Sequence, residues 1–344
     1  MAPFGKAVNV QSIPFNPKLL APSKDASDDV KLYAGVVDGD WTVGSVANGG
    51  YILALIVEAC IQFQSSTPHV DPLHVTAHYL RTTFVAPFTV CVRNIKTSSG
   101  FTNVTAELLQ DGVVKIMAHC IFGVNGPHPK DKLNLTLNPP SSYARRHPLH
   151  THPSKAAVKP MRHTWKFHPW VKWSEDEDIL AKNRMDSPSR TTSSTIGGGG
   201  LEWGAWFEFT DIYDEISNSS LCFLVDIFLN IPSLLPKSER VGLTTSWFPT
   251  MTLSVEFKNK IPPPSSSHAS RTVGLYSTGR FMTPPQGRHD VYVEVWTAPS
   301  NIGEGKEAQN WRDNQVCLAV ATQMALTLPM EVNMKKGKEG SVKL

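Results

Sequence analysis

No apolar stretch in this chain is long enough to cross a membrane as a helix. The longest run, Tyr51 to Cys60, falls short of the roughly 20 residues a span needs and carries Glu58 inside it. The opening MAPFGKAVNVQSIPF has no apolar centre of the kind a secretory leader carries. Charge is sparse, at 18% of residues, and the lysines and arginines are scattered to a net +3 with no basic stripe between aromatics. Nucleic acid is excluded as a partner on that ground. The five cysteines, Cys60, Cys91, Cys120, Cys222 and Cys317, are odd in number, show no CxxC spacing and lie in apolar runs. They are expected to be reduced core residues, and the chain to be soluble and cytoplasmic, without a membrane span.

Familiar catalytic signatures are missing too. There is no G-x-S-x-G elbow for a serine nucleophile, no H-E-x-x-H, no zinc-type spacing of Cys and His, and no P-loop. The run Gly197 to Gly200 lacks the spacing of a dinucleotide loop and reads as linker. His147, His150 and His152 stand in a proline-rich, charged segment and also read as linker, while His78 and His119 lie in strands as hydrogen-bonded structural residues. No metal and no cofactor are expected. The chain ends Val342-Lys343-Leu344, close to a peroxisomal address but with valine where a small residue belongs, so a frayed lysine-rich tail is the simpler expectation.

What is present comes in two similar blocks. A length of 344 residues suits two domains. Pro- and Ser-rich residues 1–30 and an irregular, His- and Pro-crowded stretch at 124–200 bracket a first block, 31–123. In it SVANGGYILALIVEACIQF starts at Asn48, Gly49 and Gly50 and reads as a buried helix. Four runs rich in β-branched and aromatic residues follow, HVTAHYLRTTFVAP, FTVCVRNIKTSSG, FTNVTAELLQDG and VVKIMAHCIFG. Asp111-Gly112 between the last two is the strongest hairpin signal, because both residues tolerate positive φ.

The order returns over 201–330, before a basic tail at 331–344. A strand, LEWGAWFEFTD, is followed by SNSSLCFLVDIFLNIPSLLP, which reads as a second apolar helix, and then by four more strand-like runs. Gly50 stands 26 residues before Thr76, and Asp226 stands 24 before Thr250. Such matched spacing points to an internal duplication. A helix apolar nearly all round needs a surface wrapped about it, and a curled sheet in each half, the two paired edge to edge, meets that need.

Three polar residues interrupt the apolar pattern. Asp226 lies within LCFLVDIFLN, where an unpaired carboxylate would cost several kcal/mol, so it must be paired, protonated or facing a wet cavity. Thr250 opens TMTLSVEF, whose alternation puts Met251, Leu253, Val255 and Phe257 on one face and Thr250, Thr252, Ser254 and Glu256 on the other. Gln323 sits in VCLAVATQMALTL, where its amide needs partners. Taken singly, each reads most simply as structural.

Together these segments resemble the acyl-CoA thioesterase II (TesB-like) family of double-hotdog proteins and the larger thioesterase-like superfamily. The resemblance covers most of 28–123 and 200–330. It rests on Trp41 with Val46-Ala47-Asn48-Gly49-Gly50-Tyr51, on His78-Tyr79-Leu80-Arg81, on Asp111-Gly112, and on Asp226, Thr250 and Gln323. It implies an α+β tandem double hotdog with two long central helices. It also implies a thioesterase acting on an acyl-CoA or carrier-bound acyl or polyketide thioester through water held by Asp226, Thr250 and Gln323, with an Asp at the start of the second helix.

Gly49 and Gly50, at a helix N-terminus, are candidate donors to the oxyanion, and equally a tight entry into the helix. Arg81, Lys258 and Arg280 are candidate contacts for CoA phosphates. The sequence departs from the family at its long 124–200 segment, at Asp313-Asn314 where Asp-Gly is common, and at the prolines 262–264. Two alternatives stay open: a tailoring enzyme that hydrates, dehydrates or cyclises a carrier-bound chain, although the G-D-x-N-P run of hotdog hydratases is missing, and a non-catalytic acyl-binding protein. A homo-oligomer of such chains is also possible.

Overall fold

The computed structural model describes residues 2–14, 29–127, 135–161 and 163–341. The chain enters through a single helical turn, α1 (Phe4–Ala7), and strands β1 (Gln11–Ile13) and β2 (Val30–Val36), then a small hairpin, β3 (Thr42–Val43) and β4 (Val46–Ala47). Helix α2 (Gly49–Gln64) leads to the meander β5 (Asp71–Tyr79), β6 (Pro87–Thr97), β7 (Thr102–Gln110) and β8 (Val113–Gly123). The β7–β8 turn is made by Asp111 and Gly112 at φ 52° and 71°, as their composition predicts.

After strand β9 (Val171–Glu175) and the short α3 (Glu177–Ala181), the second half runs β10 (Leu201–Phe209), α4 (Asn218–Leu224), α5 (Ile231–Leu234), β11 (Ser246–Trp247) and β12 (Thr250–Phe257). It closes with β13 (Thr272–Gly279), β14 (Met282–Thr283), β15 (Arg288–Thr297), β16 (Cys317–Ala325), β17 (Leu328–Pro329) and helix α6 (Met330–Ser341).

Among the described residues thirteen strands form one antiparallel sheet in the order β1-β2-β6-β7-β8-β5-β12-β16-β15-β13-β10-β9, with β14 added on β15. Setting the edge strands β1 and β9 aside, the two halves repeat one order, β2-β6-β7-β8-β5 and β10-β13-β15-β16-β12. They join at a seam where β5 pairs with β12, from Thr252 opposite His78 to Glu256 opposite His74. The edge-to-edge pairing expected from the repeated spacing is therefore present.

Helix α2 buries Ile52, Leu53, Leu55 and Ile56 completely, because β5 to β8 curl round one side of it and α4 lies against the other. Each such side chain contributes about 1.5–3 kcal/mol relative to exposure.

The second helix departs from expectation. Rather than a long helix through Asp226, α4 has 7 residues. Its end tightens, with Asp226 N–H on the Phe223 carbonyl at 3.0 Å and Ile227 N–H on that of Leu224 at 3.3 Å. Pro232 prevents the helix from resuming before α5. Asp226 therefore follows the C-terminal end of this helix and does not open it.

Other expectations are revised in detail. His147 is buried, stacked on Trp206 at a ring separation of 4.8 Å, and His152 is buried beside Trp311, so this part of the linker packs on the sheet. His78 and His119 are exposed on the outer face of the sheet, whereas His69, His74 and His289 hold hydrogen bonds. Four cysteines are buried and all five are unbridged, but Cys317 is half-buried. Where a frayed tail was expected, α6 docks through a fully buried Asn333. Val342-Lys343-Leu344 lie outside the described residues.

Candidate active site

Asn48 caps α2: its Oδ1 accepts from the Tyr51 N–H at 2.9 Å. The next donors of the first turn have no partner within the helix. Gly50 N–H donates to Asp226 Oδ2 at 2.7 Å. That contact requires glycine, since a Cβ there would come 2.6 Å from both Asp226 Cβ and the Cys222 carbonyl.

A β-bulge between Thr250 and Thr252 brings the threonine to the same carboxylate. The extra residue, Met251, is pushed outward and exposed, so Thr250 moves to the inner face with Leu253, against the simple alternation. The Thr250 hydroxyl donates to Asp226 Oδ1 at 3.4 Å. Gln323 lies opposite Leu253 on β16; its Nε2 donates to Thr250 Oγ1 at 2.8 Å and also to Asp226 Oδ1. Asp226, Thr250 and Gln323, separated by up to 97 residues in sequence, thus meet at one carboxylate.

Burial pushes the Asp226 carboxyl up to about 6, against the pull of donors from Gly50 N–H, Gln323, Thr250 and Asn48. Burial, then the charge of Asp226, likewise raises the Tyr79 phenol well above its ordinary value. Tyr79 donates its hydroxyl to the Gly49 carbonyl at 2.9 Å, fixing the entrance of α2.

The carboxylate faces a cavity of about 290 Å³, lined by Asp226, Thr250, Gln323, Asn48 and Gly49, with walls that include Ile52, Trp165, Trp247 and Phe248. Gly50 is not among its lining residues but stands behind the carboxylate. Arg81 reaches the cavity; Lys258 and Arg280 do not, nor do the prolines 262–264. Lys258 instead lies against Glu256 at 2.5 Å.

The sequence reading missed three contributors: Asn48 as a partner of the carboxylate, Tyr79, and the terminal wall of Leu328, Met330 and Lys336. Asn48 and Tyr79 stood in motifs already singled out, whereas nothing local marks the wall. Outside the cavity, His150, Asp176 and Asp178 cluster within 4.8 Å, but the Asp176 oxygens already accept from the His150, Thr151 and Ile179 amides.

Residues 37–123 match the profile of the acyl-CoA thioesterase N-terminal domain. The chain resembles the acyl-CoA thioesterases. That family is one of thioester hydrolases. A curated relative, the ustilagic acid biosynthesis cluster protein orf2 of Mycosarcoma maydis, is 26% identical over 118 residues, 33% of this chain and 31% of that protein. The chain therefore matches about a third of that relative's length.

Among solved structures, a protein assigned as a thioesterase II from Thermobifida fusca superposes with a TM-score of 0.63 at 18% identity, covering 94% of this chain and 97% of the other. A protein of unknown function with a hot dog fold from Alicyclobacillus acidocaldarius gives 0.59 at 16%, covering 94% and 97%. The acyl-CoA thioesterase II of Mycobacterium marinum gives 0.56 at 10%, covering 95% and 98%. The fold shared with these neighbours is of hotdog type, mixed α and β with a large antiparallel sheet. Among the described residues no helix is long and apolar enough to cross a membrane.

Proposed function

We propose that this chain is a tandem double hotdog, with halves over 31–123 and 201–330, that hydrolyses an acyl-CoA or carrier-bound acyl thioester. The observation that carries this reading is a single carboxylate, Asp226, shared by Gly50 N–H, Thr250 and Gln323 at the wall of a cavity. A general base works best with a pKa near the working pH. At about 6, Asp226 is mostly ionised at neutrality yet more basic than a surface carboxylate.

Water held by Asp226, Thr250 and Gln323 loses a proton to the carboxylate as its oxygen bonds to the thioester carbon. The charge on the carbonyl oxygen is met by the Gly49 N–H at the start of α2, since the Gly50 N–H is engaged by Asp226. Collapse breaks the carbon–sulfur bond, and Asp226 returns the proton to the departing thiolate. One site per chain follows, because Asp226, Thr250 and Gln323 all come from the second half. Thiol release from short, medium, long and aromatic acyl-CoAs, with Asp226→Asn as control, tests the assignment; release by the variant at the unaltered rate would sink it.

A second reading has one observation in its favour, the relative named for a biosynthesis cluster. In it the same site dehydrates, hydrates or cyclises a carrier-bound intermediate. Conversion of such a chain without thiol release would select it.

A further inference from the structure

The catalytic cavity continues into a second, open groove of about 710 Å³, and the two share Thr164, Ser246, Phe248 and Met330 along their common edge. The groove follows the loop between α5 and β11. It presents three basic side chains, His163, Lys237 and Arg240, and none of its lining residues is acidic.

Lys237 is exposed and makes no ion pair among the described residues. Arg240 gives one Nη1 bond, at 3.1 Å, to the Ser233 carbonyl, which orients the guanidinium while most of its donors stay available. The nearby carboxylate, Glu239, is taken by Arg190 at 2.5 Å. Thr244 and Thr245 add hydroxyl donors along the same wall. Basic groups and hydroxyls without an acid give the groove donors that suit phosphate oxygens.

From this we infer that the groove holds the phosphates of the thioester's nucleotide end, so that the substrate is delivered as a CoA ester. The inference rests on the hydrolytic reading of Asp226 for its orientation: the carbonyl lies at Asp226, the pantetheine arm passes the Ser246–Phe248 edge, and the phosphates reach Lys237 and Arg240. It replaces Lys258 and Arg280, which lie away from the cavity.

The test compares the unaltered chain with a Lys237→Gln, Arg240→Gln double variant on an acyl-CoA and on the same acyl group carried by N-acetylcysteamine, which has no phosphate. The ratio of the two kcat/KM values is expected to fall about 10-fold or more, through KM, since a hydrogen bond to a charged group is worth about 1.5–3 kcal/mol. Binding of 3′,5′-ADP, followed by calorimetry, is expected to weaken in parallel and to decline with salt.

An unchanged ratio, or unchanged 3′,5′-ADP binding, overturns the inference. A fall that is larger for the acyl group on a carrier protein than for acyl-CoA overturns the nucleotide assignment in favour of the carrier. If the unaltered chain releases thiol from none of these substrates, the hydrolytic reading fails, and the nucleotide titration alone decides whether the groove binds phosphate.

Discussion

The amide of Gly50, at the start of one central helix, lies 2.7 Å from the Asp226 carboxylate just past the end of the other. The residues that match in the repeated spacing of the two halves are thus in direct contact. The donor left over at a helix N-terminus is spent on holding the proposed base, not on the substrate. This contact links the packing of α2 against α4 to the chemistry of the cavity.

Replacing Asp226 with Asn is expected to lower thioester hydrolysis by about a hundredfold or more, the usual scale for a general base, with the fold kept. In the unaltered protein the rate should rise with pH through about 6 and then level off, because the ionised carboxylate is the working form. A pH–rate profile flat from 5 to 8 would remove Asp226 from the role of base.

The same carboxyl links stability to pH. Its value is raised from 3.8 to about 6 on folding, so the folded state favours the protonated form. The penalty is absent below 3.8, grows between 3.8 and about 6, and is complete above, at about 3 kcal/mol or less. Asp226→Asn should therefore gain stability over the unaltered chain at pH 7, a gain that shrinks towards pH 4. Denaturant midpoints at the two pH values measure it, and a gap that widens on acidification would contradict the linkage.

The two glycines are expected to separate stability from activity. Gly50→Ala meets Cys222 and Phe223 backbone within 3.0 Å, forcing α2 and α4 apart at a cost of about 1–3 kcal/mol. Gly49→Ala meets only side chains, Asp226 Oδ2 at 3.2 Å, Thr250 Oγ1 at 3.3 Å and Tyr79 at 3.4 Å. It should leave the melting temperature within a few degrees while reducing kcat. Equal thermal losses in the two variants would show that the distinction is wrong.

Asn333 ties α6 to the β3–β4 turn, accepting from Ser45 N–H at 2.9 Å and donating to the Val43 carbonyl at 3.0 Å. Asn333→Ala leaves both backbone groups without their partner, a loss of about 1–3 kcal/mol felt locally. Because Met330 and Lys336 line the cavity, faster amide exchange over 330–337 should come with a broader range of accepted acyl groups. Unchanged exchange there would show that α6 is held by other contacts.

Much of the fold was legible because its signals are local. Buried helix α2 followed from its start at Asn48 and an apolar run broken only by Glu58, the β7–β8 hairpin from residues that tolerate positive φ, and the repeat from matched spacing. The second helix was misread for a physical reason. Leu221 to Leu229 is apolar enough for a long helix, but hydrogen bonds from α2 and β16 draw the Asp226 carboxylate aside as the helix ends.

The sequence by itself determined that Asp226 and Gln323 stand in apolar surroundings, and its resemblance to the thioesterase family joined Thr250 to them. Only the tertiary structure decided how they meet. The bulge at Met251 turns Thr250 inward, a shift of register that alternation cannot foresee. The end of α4 sets Asp226 against the Gly50 amide, and the terminal helix, held by Asn333, supplies the wall of the cavity. These are contacts between residues far apart in the chain, and no local preference encodes them.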